Sequence, residues 1–189
     1  RSRFATRDNV TIHEGDALSF DYATLGTALR LVGNLPYNIS TPLLFHLLTF
    51  RDHIADMHFM LQKEVVGRIC ASPGTKNFGR LTIMLGCRME SVPLFDVPPT
   101  AFSPPPKVMS SVVRMRPMPH GRFDVRDSTV LDAIVKLAFS RRRKTLRNAL
   151  GGMASADDID AVGLDPSLRP EQVPIDDWVT LANRLSLTA

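Results

Sequence analysis

Asn34-Leu35-Pro36-Tyr37 is the stretch whose residue types could do chemistry. Asn34 offers a side-chain carbonyl, the Leu35-Pro36 step aims a backbone carbonyl rigidly, and Tyr37 offers a flat ring on which a base can stack. Two acceptors beside an aromatic face suit an exocyclic amine such as N6 of adenine. Held in this way, the amine turns its lone pair out of the ring plane, toward an electrophilic methyl group. No general base is required, because the nitrogen becomes acidic only as the new bond forms. A bare match of four residues also reads as an ordinary turn, so the surrounding elements must decide.

Residues 29–33 form a short apolar run that predicts a buried strand ending at Asn34. Ser40 or Thr41 can cap a helix with Pro42 as its first residue, running to about residue 50 with Leu43, Leu44, Leu47 and Leu48 on one face. The tetrad then lies between a strand's carboxyl end and a helix, where ligands bind in open α/β sheets. Upstream, residues 10–14 alternate like a strand that stops at Gly15-Asp16-Ala17-Leu18. Asp16 can accept a hydrogen bond from a cofactor's amino group, although spacing alone favours a turn cap.

Downstream, residues 55–62 are nearly all apolar, as in a central strand covered on both faces. Helical spacing follows at 63–71 and 80–88, and strands at 91–97 and 110–116 close the sheet. This order predicts a mostly parallel sheet with an antiparallel end. Between the last two strands, Pro104-Pro105-Pro106 stiffens a loop that can hold Phe102 above the pocket as a second aromatic wall. Periodicity alone would instead tuck Phe102 under the loop as core.

The pattern changes after Gly121. Residues 128–139 read as an amphipathic helix, with Val130, Ile134 and Ala138 on one line and Leu131, Val135 and Phe139 beside it. Residues 141–147 then place five cations in seven positions. As a helix, this run would turn Leu146 and Leu150 inward and fan Arg141, Arg142, Arg143, Lys144 and Arg147 outward. Charge runs are usually solvated faces, but the absence of acidic residues here favours phosphate contact and counterion release. Residues 176–187 predict a last helix, with Trp178, Leu181, Ala182 and Leu185 toward the core.

The 189 residues allow a medium domain, 1–122, and a small helical one, 123–189. Residues 1–122 hold 14 basic and nine acidic side chains, 123–150 seven and three, and 151–189 two and seven. Such asymmetry predicts a polyanionic partner rather than general stickiness. Cys70 and Cys87 have no close Cys or His partners, so neither a metal site nor a disulfide framework is indicated. A reduced, cytosolic setting fits, and the apolar runs are too short to span a membrane.

Six segments carry a resemblance: Gly15-Asp16-Ala17-Leu18; Gly33 through the tetrad to Asn38-Ile39-Ser40; Leu61-Gln62-Lys63-Glu64-Val65; Phe78-Gly79-Arg80-Leu81; Phe102 to Val108; and Arg141 to Asn148. In this order the chain resembles the small-subunit (16S) ribosomal RNA adenine N6,N6-dimethyltransferases over nearly its whole length. The resemblance implies a Rossmann-like, S-adenosylmethionine-dependent α/β domain with a small all-helical C-terminal domain. It also implies dimethylation of two adjacent adenosines in the 3′-terminal hairpin of small-subunit rRNA, within the pre-30S particle.

Carried over residue by residue, Asp16 and Ala17 would meet the cofactor's adenine. Asn34 would contact both the cofactor and the target amine, and the Leu35 carbonyl would take the amine's second hydrogen. Tyr37 and Phe102 would sandwich the flipped base, with Pro36 fixing the turn. Lys107, Arg141, Arg142, Arg143, Lys144 and Arg147 would grip RNA phosphates, in a protein expected to be monomeric and metal-free.

Members of the family begin with a strand, a Gly-rich turn and a second strand ending in an acidic residue. None of these precedes Asp16, so the chain is expected to be N-terminally truncated, with impaired cofactor binding, no methyl transfer of its own, and exposed sheet edge. Two other functions share these features. One is a non-catalytic RNA-binding assembly factor. The other is a large-subunit rRNA methyltransferase of the antibiotic-resistance type, which the Pro-Pro-Pro-Lys loop and the Arg-Arg-Arg-Lys run fit less well. DNA adenine methyltransferases generally carry Asp-Pro-Pro-Tyr in place of this tetrad.

Overall fold

In the computed structural model, which describes residues 8–187, one sheet has the order β1-β2-β4-β3. Its strands are β1 (Leu29–Asn34), β2 (Ile54–Gln62), β3 (Met89–Val97) and β4 (Ser110–Pro117). β1 and β2 run parallel, whereas β4 pairs antiparallel with both β2 and β3. The expected mostly parallel sheet is therefore mixed among the described residues. The segment 10–14, expected as a further strand, is exposed and pairs with no strand among the described residues.

Alternation along the strands sets what is covered. Met57, Phe59 and Leu61 of β2 share a face with Val113 and Met115 of β4. Against them pack Leu43, Leu44, Leu47 and Leu48 of α1 (Ser40–Leu48), Val66 and Ile69 of α2 (Lys63–Ile69), and Leu85 of α3 (Arg80–Gly86). Burying such side chains contributes about 1.5–3 kcal/mol each. The opposite face is more open: Val32 is 75% exposed, and His58 and Met60 are half-buried. β2 is thus not covered equally on both sides, and its buried Asp56 is held there by Arg30 of β1.

The helical unit comprises α4 (Ser128–Ser140), α5 (Leu146–Ala149), α6 (Ala156–Asp160) and α7 (Ile175–Leu185). Asp127 caps α4 by accepting hydrogen bonds from the amides of Thr129 and Val130. Leu131, Ile134, Val135 and Ala138 of α4 meet Trp178, Leu181 and Ala182 of α7 in a second core. Ile83, Met84 and Cys87 belong to that core while Leu85 faces the sheet, so α3 is a wall shared by both units. The helical spacing at 128–139 and 176–187 is found with ends shifted by at most two residues.

Candidate active site

β1 ends at Asn34, and the chain turns through Leu35, Pro36 and Tyr37 into α1. The Ile39 amide donates to the Pro36 carbonyl at 3.2 Å, and the Ser40 hydroxyl donates to the Tyr37 carbonyl at 3.1 Å. These bonds run the turn directly into the helix, so α1 begins at Ser40, without a side-chain cap, instead of at Pro42. Pro42 is harmless at the third position, since the first four helical amides have no intrahelical partner. The Leu35 amide donates to the Met60 carbonyl at 3.2 Å, which ties the turn to β2.

Two acceptors remain: among the described residues, the Asn34 side chain and the Leu35 carbonyl make no hydrogen bond. They border a cavity of about 290 Å³ lined by Asn34, Leu35, Pro36 and Tyr37 on one side and Phe102, Pro104 and Pro106 on the other. The structure thus brings the tetrad and the proline loop together, and half-buried Phe102 faces the cavity rather than the core. The Phe102 amide donates to the Pro99 carbonyl, closing a 3₁₀ turn over Pro99–Ala101. Lys107 is exposed on this loop and does not line the cavity.

Sequence reasoning missed Ser110. It is fully buried at the head of β4, and its hydroxyl is hydrogen-bonded to that of Tyr37 at 2.9 Å. The available signal was a small hydroxyl residue where an apolar one would normally start a buried strand. Lys63, quoted in the sequence only within the Leu61-Gln62-Lys63-Glu64-Val65 segment, ties the strand end to the loop: its amide donates to the Met109 carbonyl, and its ammonium pairs with Asp96 at 2.6 Å. The Asp96 carboxyl is held below its ordinary value chiefly by that Lys63 hydrogen bond, then by Ser111.

Asp16 and Ala17 are not brought into this cavity. The exposed Asp16 carboxylate accepts from the Leu18 amide at 2.9 Å, the turn-capping role that spacing favoured. Ala17 lines a separate cavity of about 220 Å³ with Phe20, Tyr22 and Leu25. The Tyr22 hydroxyl donates to the Ala17 carbonyl, and burial, then the Asp16 charge, pushes its pKa up.

The basic run is not the expected helix. Residues 141–145 form turns that open a cavity of about 600 Å³ lined by Arg141, Arg142, Arg143, Lys144 and Asn148; only then does α5 begin. The Leu146 amide donates to the Leu168 carbonyl and that of Arg147 to Pro166, which anchors α5 outside the run. Leu146 and Leu150 are fully buried as expected. Arg141 donates to the Ala149 carbonyl at 3.4 Å, and Arg142 is turned into the protein. Between this turn and α1 lies a cleft of about 670 Å³ with Thr41 and Phe45 on one wall and Arg142 on the other. Arg68, Lys76 and Arg80 also line it; the sequence reading named Arg80 only as part of the Phe78-Gly79-Arg80-Leu81 segment and gave none of the three a site role.

A family described as ribosomal RNA adenine dimethylase matches residues 1–187. The chain belongs to the ribosomal RNA adenine dimethylase family. It is 56% identical to ribosomal RNA small subunit methyltransferase A of Chromobacterium violaceum, covering 94% of this chain and 68% of that protein. The corresponding protein of Aromatoleum aromaticum is 54% identical over 95% of this chain and 68% of its own length. A dimethyladenosine transferase from Plasmodium falciparum superposes with a TM-score of 0.79 at 25% identity, covering 92% of this chain and 71% of that one. The 23S rRNA methyltransferase ErmE, at 20% identity and a TM-score of 0.66, shares the fold across 98% of this chain and 76% of its own. Membership in this dimethylase family implies S-adenosylmethionine as methyl donor and RNA as partner. Among the described residues, no helix is long and apolar enough to cross a membrane and no His, Cys, Asp and Glu group could hold a metal ion.

The residues present fit that cofactor only in part. Asp16 and Ala17 can meet an adenine and Asn34 stands at the strand end, but Ala17 and Asn34 line two separate cavities.

Proposed function

We propose that the chain is the base-receiving and RNA-gripping part of an enzyme that methylates N6 of two adjacent adenosines in the 3′-terminal hairpin of small-subunit rRNA. The observation that carries this reading is one cavity lined by Asn34, Leu35, Tyr37 and Phe102, where the Asn34 side chain and the Leu35 carbonyl have no hydrogen-bond partner among the described residues.

The target base must leave its stack to enter, at a cost of a few kcal/mol. Tyr37 and Phe102 offset that cost by stacking, worth roughly 1–3 kcal/mol per base. Asn34 Oδ1 and the Leu35 carbonyl accept the two N6 hydrogens, which fixes the amine and aims its lone pair. S-adenosylmethionine, when bound, supplies the electrophilic methyl. Pro36 holds the second acceptor rigid, and the Met60 carbonyl anchors the turn from β2. Arg143, Lys144, Arg147 and Lys107 bind phosphates, with the exposed positions of the basic turn facing the RNA. On this reading the natural substrate is the pre-30S particle, met in the cytoplasm by a single copy of the protein. Residues 1–122 act as the methyltransferase unit and 123–189 as the RNA-binding one.

Binding tests this without requiring turnover. The chain should bind the hairpin with its adenosine pair more tightly than the same hairpin with abasic sites there, by about five- to 150-fold. Tyr37→Ala and Phe102→Ala should each erase most of that preference. Preference retained in both variants would overturn the reading.

A further inference from the structure

We propose that Arg142 is a positioning residue that pins the basic turn to the loop 72–77 of the methyltransferase unit, leaving Arg143, Lys144 and Arg147 as the phosphate-facing charges. The inference rests on the RNA-binding reading above. Its basis is a closed set of contacts among three separate parts of the chain.

The Arg142 guanidinium donates from Nη2 to the Thr75 carbonyl at 3.1 Å, while its Nε lies 3.5 Å from Glu171 Oε2. That carboxylate oxygen is buried and has no hydrogen-bond partner among the described residues, so Arg142 is its compensating charge. The pair is half-buried, with side chains 34% and 18% exposed, so removing one member leaves the other poorly hydrated and without its counter-charge. Glu171 in turn accepts the Gly74 amide on its backbone carbonyl at 2.6 Å. Gly74 has φ +82°, a left-handed conformation that glycine adopts without strain. Arg142 and Glu171 therefore grip one turn from two sides.

The other cations of the run differ. Arg143, Lys144 and Arg147 are exposed, and their side chains make no hydrogen bond or ion pair among the described residues. A planar fork that must reach a carbonyl and a carboxylate at once also explains why arginine, rather than lysine, stands at 142.

The test is the salt dependence of binding of the chain to the hairpin RNA, paired with amide exchange on the free chain. Arg143→Gln should flatten the plot of log affinity against log salt by about 0.7–0.9, one phosphate contact. Arg142→Gln, Arg142→Lys and Glu171→Gln should each weaken binding about fivefold with the slope unchanged, and the Arg142→Gln/Glu171→Gln double variant should be no worse than either single one. In the free chain, all three single variants should lose exchange protection at Gly74. If Arg142→Gln flattens the slope as Arg143→Gln does, and Arg142→Lys binds normally, Arg142 is a phosphate contact and the proposal fails. If no basic-turn variant affects RNA binding, the RNA reading fails. The exchange result still judges the pin: protection at Gly74 unchanged in Arg142→Gln would overturn it.

Discussion

The Tyr37 hydroxyl sits 2.9 Å from that of Ser110, so one aromatic wall of the pocket is fixed by the strand that follows the proline loop. Tyr37 is 36% exposed and lines the cavity, while the serine is fully buried. One bond thus links both edges of the site, and ring orientation follows β4 instead of the mobility of a surface tyrosine.

Tyr37→Phe and Ser110→Ala remove the same bond. Each is expected to reduce stability by about 1 kcal/mol, and the double variant should lose hardly more than either alone. Urea denaturation of the three variants checks this. Fully additive losses would show that the hydroxyls act independently.

Arg30 and Asp56 make a pH-dependent contribution. Arg30 donates to both carboxylate oxygens of Asp56, with Nε at 2.9 Å and Nη2 at 2.8 Å. Hydrogen bonding from Arg30 holds the Asp56 carboxyl below its ordinary value, against the burial that raises it. Because the folded pKa is depressed, the stabilisation is complete above the unfolded carboxylate value of about 3.9 and is lost as pH falls through the folded value. The urea midpoint of the native chain should fall as pH drops below about 4, and that of Asp56→Asn should fall less steeply. Parallel pH profiles for the two proteins would contradict this assignment.

Trp178, the single tryptophan, is fully buried and its indole N–H has no hydrogen-bond partner among the described residues. Trp178→Ala opens a cavity between α4 and α7 and should cost about 3–5 kcal/mol. Trp178→Phe loses volume but also removes an orphan donor whose burial costs about 1–3 kcal/mol, so the net effect should stay near 1 kcal/mol. Circular dichroism during urea denaturation measures both. Equal losses would show that the N–H finds a partner in solution.

What could be read from the chain followed periodicity. α4 and α7 bury the residues that helical spacing selects, because an amphipathic stripe specifies its own burial. The tetrad and Phe102 line one cavity, the placement the stiff proline loop suggested and periodicity alone did not. Properties set by distant partners were not. Nothing near Arg142 in sequence announces Glu171 or Thr75, and nothing near Tyr37 announces Ser110. The basic run was misread as a helix because Leu146 and Leu150 have helical spacing, yet α5 starts only after Thr145, where its amides meet carbonyls of 166 and 168. Residues 10–14 alternate like a strand, but alternation without a neighbouring strand makes no ladder.

Cofactor affinity follows from the same geometry. Ala17 and Asn34 line separate cavities, and the Asp16 carboxylate is exposed to water, where a hydrogen bond to a ligand amine competes with solvent. An adenine held at Asp16 and Ala17 alone would gain one stacking face and one or two such bonds. That supports millimolar to high-micromolar binding, about −4 to −6 kcal/mol. Calorimetric titration of the chain with S-adenosylmethionine should therefore give a Kd weaker than about 50 μM, and Asp16→Ala should abolish the residual heat. A Kd near 1 μM would mean that the two cavities merge around the ligand, and the loop 15–19 would then have to move toward the end of β1.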